Sequence, residues 1–282
     1  MITGCAHVPP WRWIPLLLAA TVLPSVVLSQ NDSVPAAEWD HILLDDGGMI
    51  LRAGAHLATS PLRWEGSDWA RFGMTAAATG VAFSLDDEVR SVALNNQNPS
   101  LDRLADIAQW FGEGKVVLIA TSTAYLAGLF LDQRWIRESA LLSATAALYA
   151  AILTRVLKPV VGRARPYVGN GNADFHMFSF DDDYNSFPSG HTVAAFSVAA
   201  VLARRVDNFF ATVGLYTIAT STALSRVYTD QHWFSDVVFG GVMSILLANS
   251  LVDWFEGQAE RSKDGGFRIT PSENGVRVAW VF

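Results

Sequence analysis

Apolar residues in this chain gather into blocks bounded by charged positions. Residues 72–85, 116–131, 139–154, 192–203, 209–224 and 237–252 form six such blocks, rich in alanine and leucine with little proline, and they predict six helices. A shorter amphipathic helix is predicted over 100–111, where Leu101, Leu104, Ile107, Ala108 and Phe111 share one face. Ahead of the blocks, residues 30–70 are polar at first and weakly amphipathic around 42–57. The pattern changes again at the end. Segments 267–270 and 276–282 flank a turn sequence containing Asn274-Gly275, which predicts a β-hairpin. One hairpin cannot close a barrel, so it is expected to pack at the edge of the helices.

The first residues read as an export signal. Arg12 supplies a modest positive charge, 13–27 is apolar, and Val27-Leu28-Ser29 offers a cleavage site before Gln30. An uncleaved N-terminal anchor is the alternative, and either places the protein outside the cytoplasm. The expected organisation is a signal peptide over 1–29, an N-terminal extension over 30–70, a helical bundle over 71–255 and a tail with the hairpin over 256–282.

Composition narrows the class. Half of the 282 residues are hydrophobic, only 17% are charged, and the mean hydropathy is +0.24, between a soluble enzyme and a multi-spanning membrane protein. A net charge of −7 argues against a nucleic-acid surface. The single cysteine, Cys5, lies in the signal segment, so the mature chain is expected to hold no disulfide, cysteine metal site or cysteine nucleophile. The uncharged runs are mostly shorter than the ~20 residues of a spanning helix. Arg134, Arg137, Arg204 and Arg205, on the face opposite the chemistry-bearing clusters, would also conflict with a cleaved signal if six helices spanned. The balance favours an extracytoplasmic (periplasmic) bundle, soluble or resting on a membrane, with an integral membrane protein as the alternative.

Three clusters carry chemistry. Pro188-Ser189-Gly190-His191 opens the predicted helix over 192–203, where unpaired N–H groups attract anions, glycine admits close approach, and an imidazole can transfer protons. Alone, it would equally suit a serine helix cap. His232 and Asp236 stand four residues apart, so a carboxylate can accept from one ring nitrogen and leave the other free as a nucleophile. Alone, such a pair is more often a surface pairing. Arg226 adds a bidentate partner for phosphate oxygens. Lys158 and Arg165-Pro166 follow a long helix, whose C-terminus attracts cations in any case. Together, three cations and helix N–H groups suit a phosphoryl group in transfer.

Lys158-x6-Arg165-Pro166, Pro188-Ser189-Gly190-His191 and Ser225-Arg226-x5-His232-x3-Asp236 closely resemble the three-part signature of the type-2 phosphatidic acid phosphatase superfamily, which includes class A acid phosphatases and vanadium haloperoxidases. The resemblance covers roughly residues 110–252. It implies an all-α fold: a six-helix core bundle of the phosphatidic acid phosphatase/haloperoxidase type, here with a small C-terminal β-hairpin. It also implies catalysis by His232, His191 and Asp236, with His232 forming a phosphohistidine, Asp236 orienting it and His191 moving protons. Lys158, Arg165, Ser189, Gly190 and Arg226 would bind phosphate. No metal or other cofactor is implied, although vanadate could occupy the phosphate pocket.

The expected partner is a phosphorylated lipid or a small phosphate ester, with membrane association and no nucleic acid. The leading expectation is a metal-independent phosphatase acting on a phosphate monoester or pyrophosphate of a lipid, of the phosphatidic acid or isoprenyl pyrophosphate type, through the phosphohistidine. A soluble-substrate acid phosphatase stands close behind; a vanadate-dependent haloperoxidase and a non-catalytic helical membrane protein are further alternatives. Asp174, His176 and Asp181-Asp182-Asp183, in the loop 167–187, lack regular ligand spacing and read as a solvated acidic rim rather than a calcium or zinc site. His41 and His56 read as structural or exposed, and Trp233 as packing or pocket lining.

Overall fold

The computed structural model describes residues 36–263, 266–272 and 275–281, with side chains over 41–258. The predicted export signal and Asn274 of the hairpin turn lie outside the described residues. The helices, in chain order, are α1 (Ala36–Thr59), α2 (Gly66–Ser84), α3 (Asp86–Asn95), α4 (Pro99–Trp110), α5 (Gly114–Phe130), α6 (Arg134–Val161), α7 (Gly190–Val206), α8 (Phe209–Tyr228) and α9 (Phe234–Lys263). Strands β1 (Gly266–Ser272) and β2 (Gly275–Val281) pair antiparallel, with Gly266 opposite Val281 and Ser272 opposite Gly275. The chain divides after His41, and the larger unit, from Ile42 onward, holds both the core and the site.

Each of the six apolar blocks lies in a helix, in α2, α5, α6, α7, α8 and α9, and the amphipathic stretch lies in α4. Local chemistry sets several ends. The Asn98 side chain accepts from the N–H groups of Ser100 and Leu101, with Pro99 at the first turn of α4. Asn208 caps α8 through Ala211 N–H. Glu65 and Asp68 form a reciprocal box at the start of α2. Two helices go beyond those that the apolar pattern predicts. α3 is short and polar, and all of α1 falls in the stretch read as an extension.

Helices α6, α7 and α9 pack on one another, and α5, α8 and α2 flank them. The main core joins Met49 and Ala53 of α1 to Leu141, Leu142 and Ala146 of α6, Ala200 and Val201 of α7, and Ala248, Leu251 and Val252 of α9. Fully buried alanines at 53, 146, 200 and 248 let the backbones approach closely. Truncating the fully buried Leu142 to alanine should cost about 2–5 kcal/mol through the cavity left behind. Outside this core the packing leaves much apolar surface uncovered. Leu118, Ile119 and Phe130 of α5, Ile152 and Val156 of α6, and Phe209, Phe210 and Leu224 of α8 are all exposed. Helix α6 and residues 234–258 of α9 are long and apolar enough to cross a membrane.

Candidate active site

The site is assembled at the end of α6, the starts of α7 and α9, and the end of α8. Helix α6 stops at Gly162, whose left-handed backbone (φ 59°) lets its N–H return to the Lys158 carbonyl at 2.8 Å. The chain then runs through Arg163, Ala164 and Arg165 beneath the loop 167–187. Arg165 N–H donates to the Asp183 carbonyl at 2.8 Å, and Ser186 N–H donates to the Arg163 carbonyl at 3.0 Å. The loop and the cationic segment therefore fix each other's position.

His232 is buried, and its Nδ1 lies 2.7 Å from the Ser186 carbonyl oxygen. A carbonyl can only accept, so Nδ1 carries the hydrogen and Nε2 keeps its lone pair. The predicted direct bond from the ring to Asp236 is replaced by an indirect link, because Asp236 Oδ2 is 3.7 Å from Nδ1, beyond a direct hydrogen bond. Ser186 stands between them in function: its carbonyl holds the ring, and its hydroxyl donates to Asp236 Oδ2 at 2.5 Å. The same oxygen accepts the Trp233 backbone N–H at 2.9 Å, a helix-capping contact that locks Asp236 at the start of α9. Burial pushes the His232 imidazole down to about 4, against the opposing pull of Asp236. The ring is thus neutral at ordinary pH.

The predicted cations divide between the two imidazoles. The charges acting on His232 are those of Asp236, Lys158 and Arg165. Those acting on His191 belong to Arg226, Glu113 and Lys158. Lys158 donates to the Asn185 carbonyl, and Arg165 donates to the Asp182 carbonyl and to Gln231 Oε1, each at 3.0 Å. Arg226 Nη1 donates to Gln109 Oε1 at 2.7 Å, while its buried Nε has no hydrogen-bond partner among the described residues. A buried, unpartnered guanidinium N–H is where an anionic oxygen would be taken up. Ser189 is fully buried at the N-cap of α7; its oxygen accepts from the Thr192 hydroxyl at 3.0 Å, which leaves its own proton to donate. Gly190 is the first residue of α7, so its N–H is free of helix partners.

Several residues at this site lie outside the three clusters. Glu113 Oε2 lies 3.2 Å from His191 Nε2, and Gln109 holds Arg226, so the end of α4 and the turn after it supply one support each. Gly112 allows that turn to approach, since a Cβ there would lie 2.4 Å from the His191 carbonyl oxygen. Arg163, between the predicted Lys158 and Arg165, is buried and joins Asp236 to Asp86. Its only hint in the sequence is a third cation within the first cluster.

The side chains of the loop 167–187 largely bond to one another. His176 pairs with Asp174 at 3.2 Å, Tyr167 donates to Asp183 at 2.8 Å, and Asp181 accepts from Asp183 N–H at 3.1 Å. No group of three or more potential ligand side chains is placed to hold a metal among the described residues. Trp233 is buried against Arg163, and its indole N–H donates to the Ala164 carbonyl at 2.9 Å. His56 stacks on Trp254, far along the chain from the signature.

The sequence profile of the PAP2 superfamily matches residues 118–259, which spans α5 to α9 and half of the chain. The chain belongs to the PAP2 superfamily. That is the type-2 phosphatidic acid phosphatase group whose signature the clusters resemble. Among relatives, a lipid A 1-phosphatase of Porphyromonas gingivalis is 33% identical over 101 residues, 34% of this chain and 22% of that protein. A lipid A 1-phosphatase of Rhizobium etli is 35% identical over 113 residues, 37% of this chain and 47% of that protein. The chain thus spans less than half the length of these relatives. Two solved structures share the fold. LpxE of Aquifex aeolicus aligns with a TM-score of 0.50 at 22% identity, covering 60% of this chain and 95% of that one. A transmembrane PAP2-type phosphatidylglycerolphosphate phosphatase of Bacillus subtilis aligns with a TM-score of 0.54 at 21% identity, covering 67% and 95%. The PAP2 core here is all-helical, as expected.

Proposed function

We propose that the protein is a membrane-embedded, extracytoplasmic phosphatase that removes phosphate from a phosphorylated lipid through a phosphohistidine on His232. The observation that carries the reading is the tethering of His232 Nδ1 to the Ser186 carbonyl, which leaves the Nε2 lone pair available beside Lys158 and Arg165.

In the first step Nε2 of His232 attacks phosphorus in line. The P–O bond to the leaving group breaks, its electron pair moves to the leaving oxygen, and His191 delivers a proton there. In the second, His191 takes a proton from water, the water oxygen bonds to phosphorus, and the P–N pair returns to Nε2. The guanidinium and ammonium groups, the Ser189 hydroxyl and the Gly190 N–H hold the equatorial oxygens as their charge develops. Asp236 stabilises the positive charge on the phosphorylated ring. These residues meet the charge of the transferring group without a metal.

A lipid substrate is supported by the names of the relatives and by the exposed apolar side chains of α5, α6 and α8, which suit contact with acyl chains rather than water. The shorter uncharged runs do not oppose spanning. Charged residues such as Arg137 and Lys158 lie inside α6, whose 28 residues extend about 42 Å. The bundle is therefore read as embedded in, rather than resting on, a membrane.

The test is phosphate release by detergent-purified protein with and without chelator, on a lipid phosphate, a lipid pyrophosphate and p-nitrophenyl phosphate, with His232→Ala as blank. Chelator-resistant release from a lipid, absent in His232→Ala, is expected. Preference for the soluble ester would move the substrate class to small esters, and absence of release from folded protein would refute the phosphatase reading.

A further inference from the structure

Behind Asp236 lies a buried charge network whose other members, Arg163, Asp86 and Ser235, stand outside the signature. Arg163 is 1% exposed, and its guanidinium reaches two carboxylates at once: Nη1 to Asp236 Oδ1 and Nη2 to Asp86 Oδ2, both at 2.6 Å. Ser235 completes the bridge. Its hydroxyl accepts from Arg163 Nη1 at 2.7 Å and donates to Asp86 Oδ2 at 2.8 Å, and its backbone N–H donates to Asp86 Oδ1 at 2.8 Å. The remaining guanidinium hydrogens go to the Asn172 carbonyl, at 3.0 Å from Nε and 2.8 Å from Nη2. The aromatic rings of Phe83, Phe175 and Trp233 surround the cation.

The arithmetic of charge gives this arrangement a consequence. Arg163 alone would neutralise Asp236 and blunt its effect on His232. With Asp86 on the opposite side of the guanidinium, the trio carries a net charge of −1, and Asp236 remains an effective anion although it is buried and bridged. Burial raises the Asp86 carboxyl above its ordinary value, and Arg163 with two Ser235 donors converging on its oxygens opposes that rise. We propose that Arg163 and Asp86 are positioning residues: Arg163 fixes the Asp236 carboxylate behind His232, and Asp86 offsets the guanidinium so that the charge facing the phosphorylated ring stays negative. This deepens, and rests on, the phosphohistidine reading.

Neither residue belongs to the phosphate-binding set, so substrate affinity should be insulated from them. The charged groups that face His232 are Asp236 at the start of α9, Lys158 from α6 and Arg165 from the following segment; the Ser186 carbonyl completes its surroundings. Removing the Asp86 charge makes the trio neutral. A cationic His232 ring is then less favoured, whether protonated or phosphorylated.

The experiment is the pH dependence of kcat and kcat/KM for wild type, Asp86→Asn, Ser235→Ala and Arg163→Lys on one lipid phosphate, with His232→Ala as blank. Asp86→Asn should lower kcat about tenfold, hold KM within about threefold, and move the acid limb to lower pH by about one unit. Ser235→Ala, which removes hydrogen bonds but no charge, should weaken the fold without moving that limb. Dividing each profile by wild type cancels the titration of the substrate. Should Asp86→Asn fail to accumulate as folded protein, Arg163→Lys carries the test: one ammonium cannot bridge both carboxylates, so kcat falls while KM holds. An active wild type, silent in His232→Ala, with Asp86→Asn or Arg163→Lys keeping wild-type kcat and acid limb, would overturn this inference alone. A wild type whose turnover survives in His232→Ala would overturn the phosphohistidine reading and this inference with it.

Discussion

Replacing Gly162 by alanine should damage both stability and activity, and Gly169 provides an internal comparison. Both glycines have left-handed backbones, with φ of 59° and 83°. An L-residue there costs about 1–2 kcal/mol. At Gly169 nothing lies within 4 Å of an added Cβ, so strain is the whole effect. At Gly162 the added carbon would sit 1.7 Å from the His176 carbonyl oxygen, a backbone atom that cannot swing away. Relieving that clash must break the 2.6 Å bond from His176 N–H to the Gly162 carbonyl, worth about 1 kcal/mol more. The total is roughly 2–3 kcal/mol before any wider rearrangement, or a Tm fall of roughly 5–10 °C at this size. Gly169→Ala should lose roughly 3–6 °C. Because the displaced segment carries Arg163 and Arg165 and the loop carries Ser186, Gly162→Ala should also lose activity that Gly169→Ala keeps. Thermal melts in detergent and phosphate-release rates check both. Equal melts and equal rates for the two variants would refute the close-approach argument.

Burial makes His232 a pH-dependent contributor to stability. Its folded value of about 4 lies below the ordinary 6.5, so the contribution is complete above pH 6.5 and is lost as pH falls toward 4. The shift corresponds to roughly 3 kcal/mol, and denaturant melts of His232→Gln should show a flatter pH dependence than wild type across that window. Arg226→Gln removes the guanidinium with the unpartnered Nε, and the inhibition constant for orthovanadate should rise by about 30-fold or more in inhibition assays. Glu113→Gln removes the carboxylate 3.2 Å from His191, and steady-state kinetics should show kcat falling about tenfold with KM little changed.

The clusters and the helices are legible in the sequence for different reasons. Apolar blocks of 12 or more residues leave a strong compositional mark that locates α5 to α9, whereas α3, with three acids in its first turn, leaves none. Lys158, Arg165, His191, Arg226, His232 and Asp236 can be named because their spacing within each cluster is local. What joins them is not. The partner of His232 is a backbone carbonyl, at Ser186, and a carbonyl has no residue type to read. Asp86 meets Arg163 across 77 residues of chain, and Glu113 meets His191 across 78. Such pairs become visible only when helices are packed. Uncharged runs understate the length of α6 because charges do not end it: Arg155 and Lys158 lie within the helix.

The central claim is that phosphate passes through His232 Nε2. Rapid mixing with a lipid substrate labelled in its phosphate, followed by an alkaline denaturing quench, should trap a phosphoprotein that is stable to base and labile to acid. Peptide mapping should place the label on His232, and His232→Ala should carry none. Label on a serine or carboxylate, or rapid turnover with no phosphoprotein at any time point and inversion of configuration at phosphorus, would contradict the account.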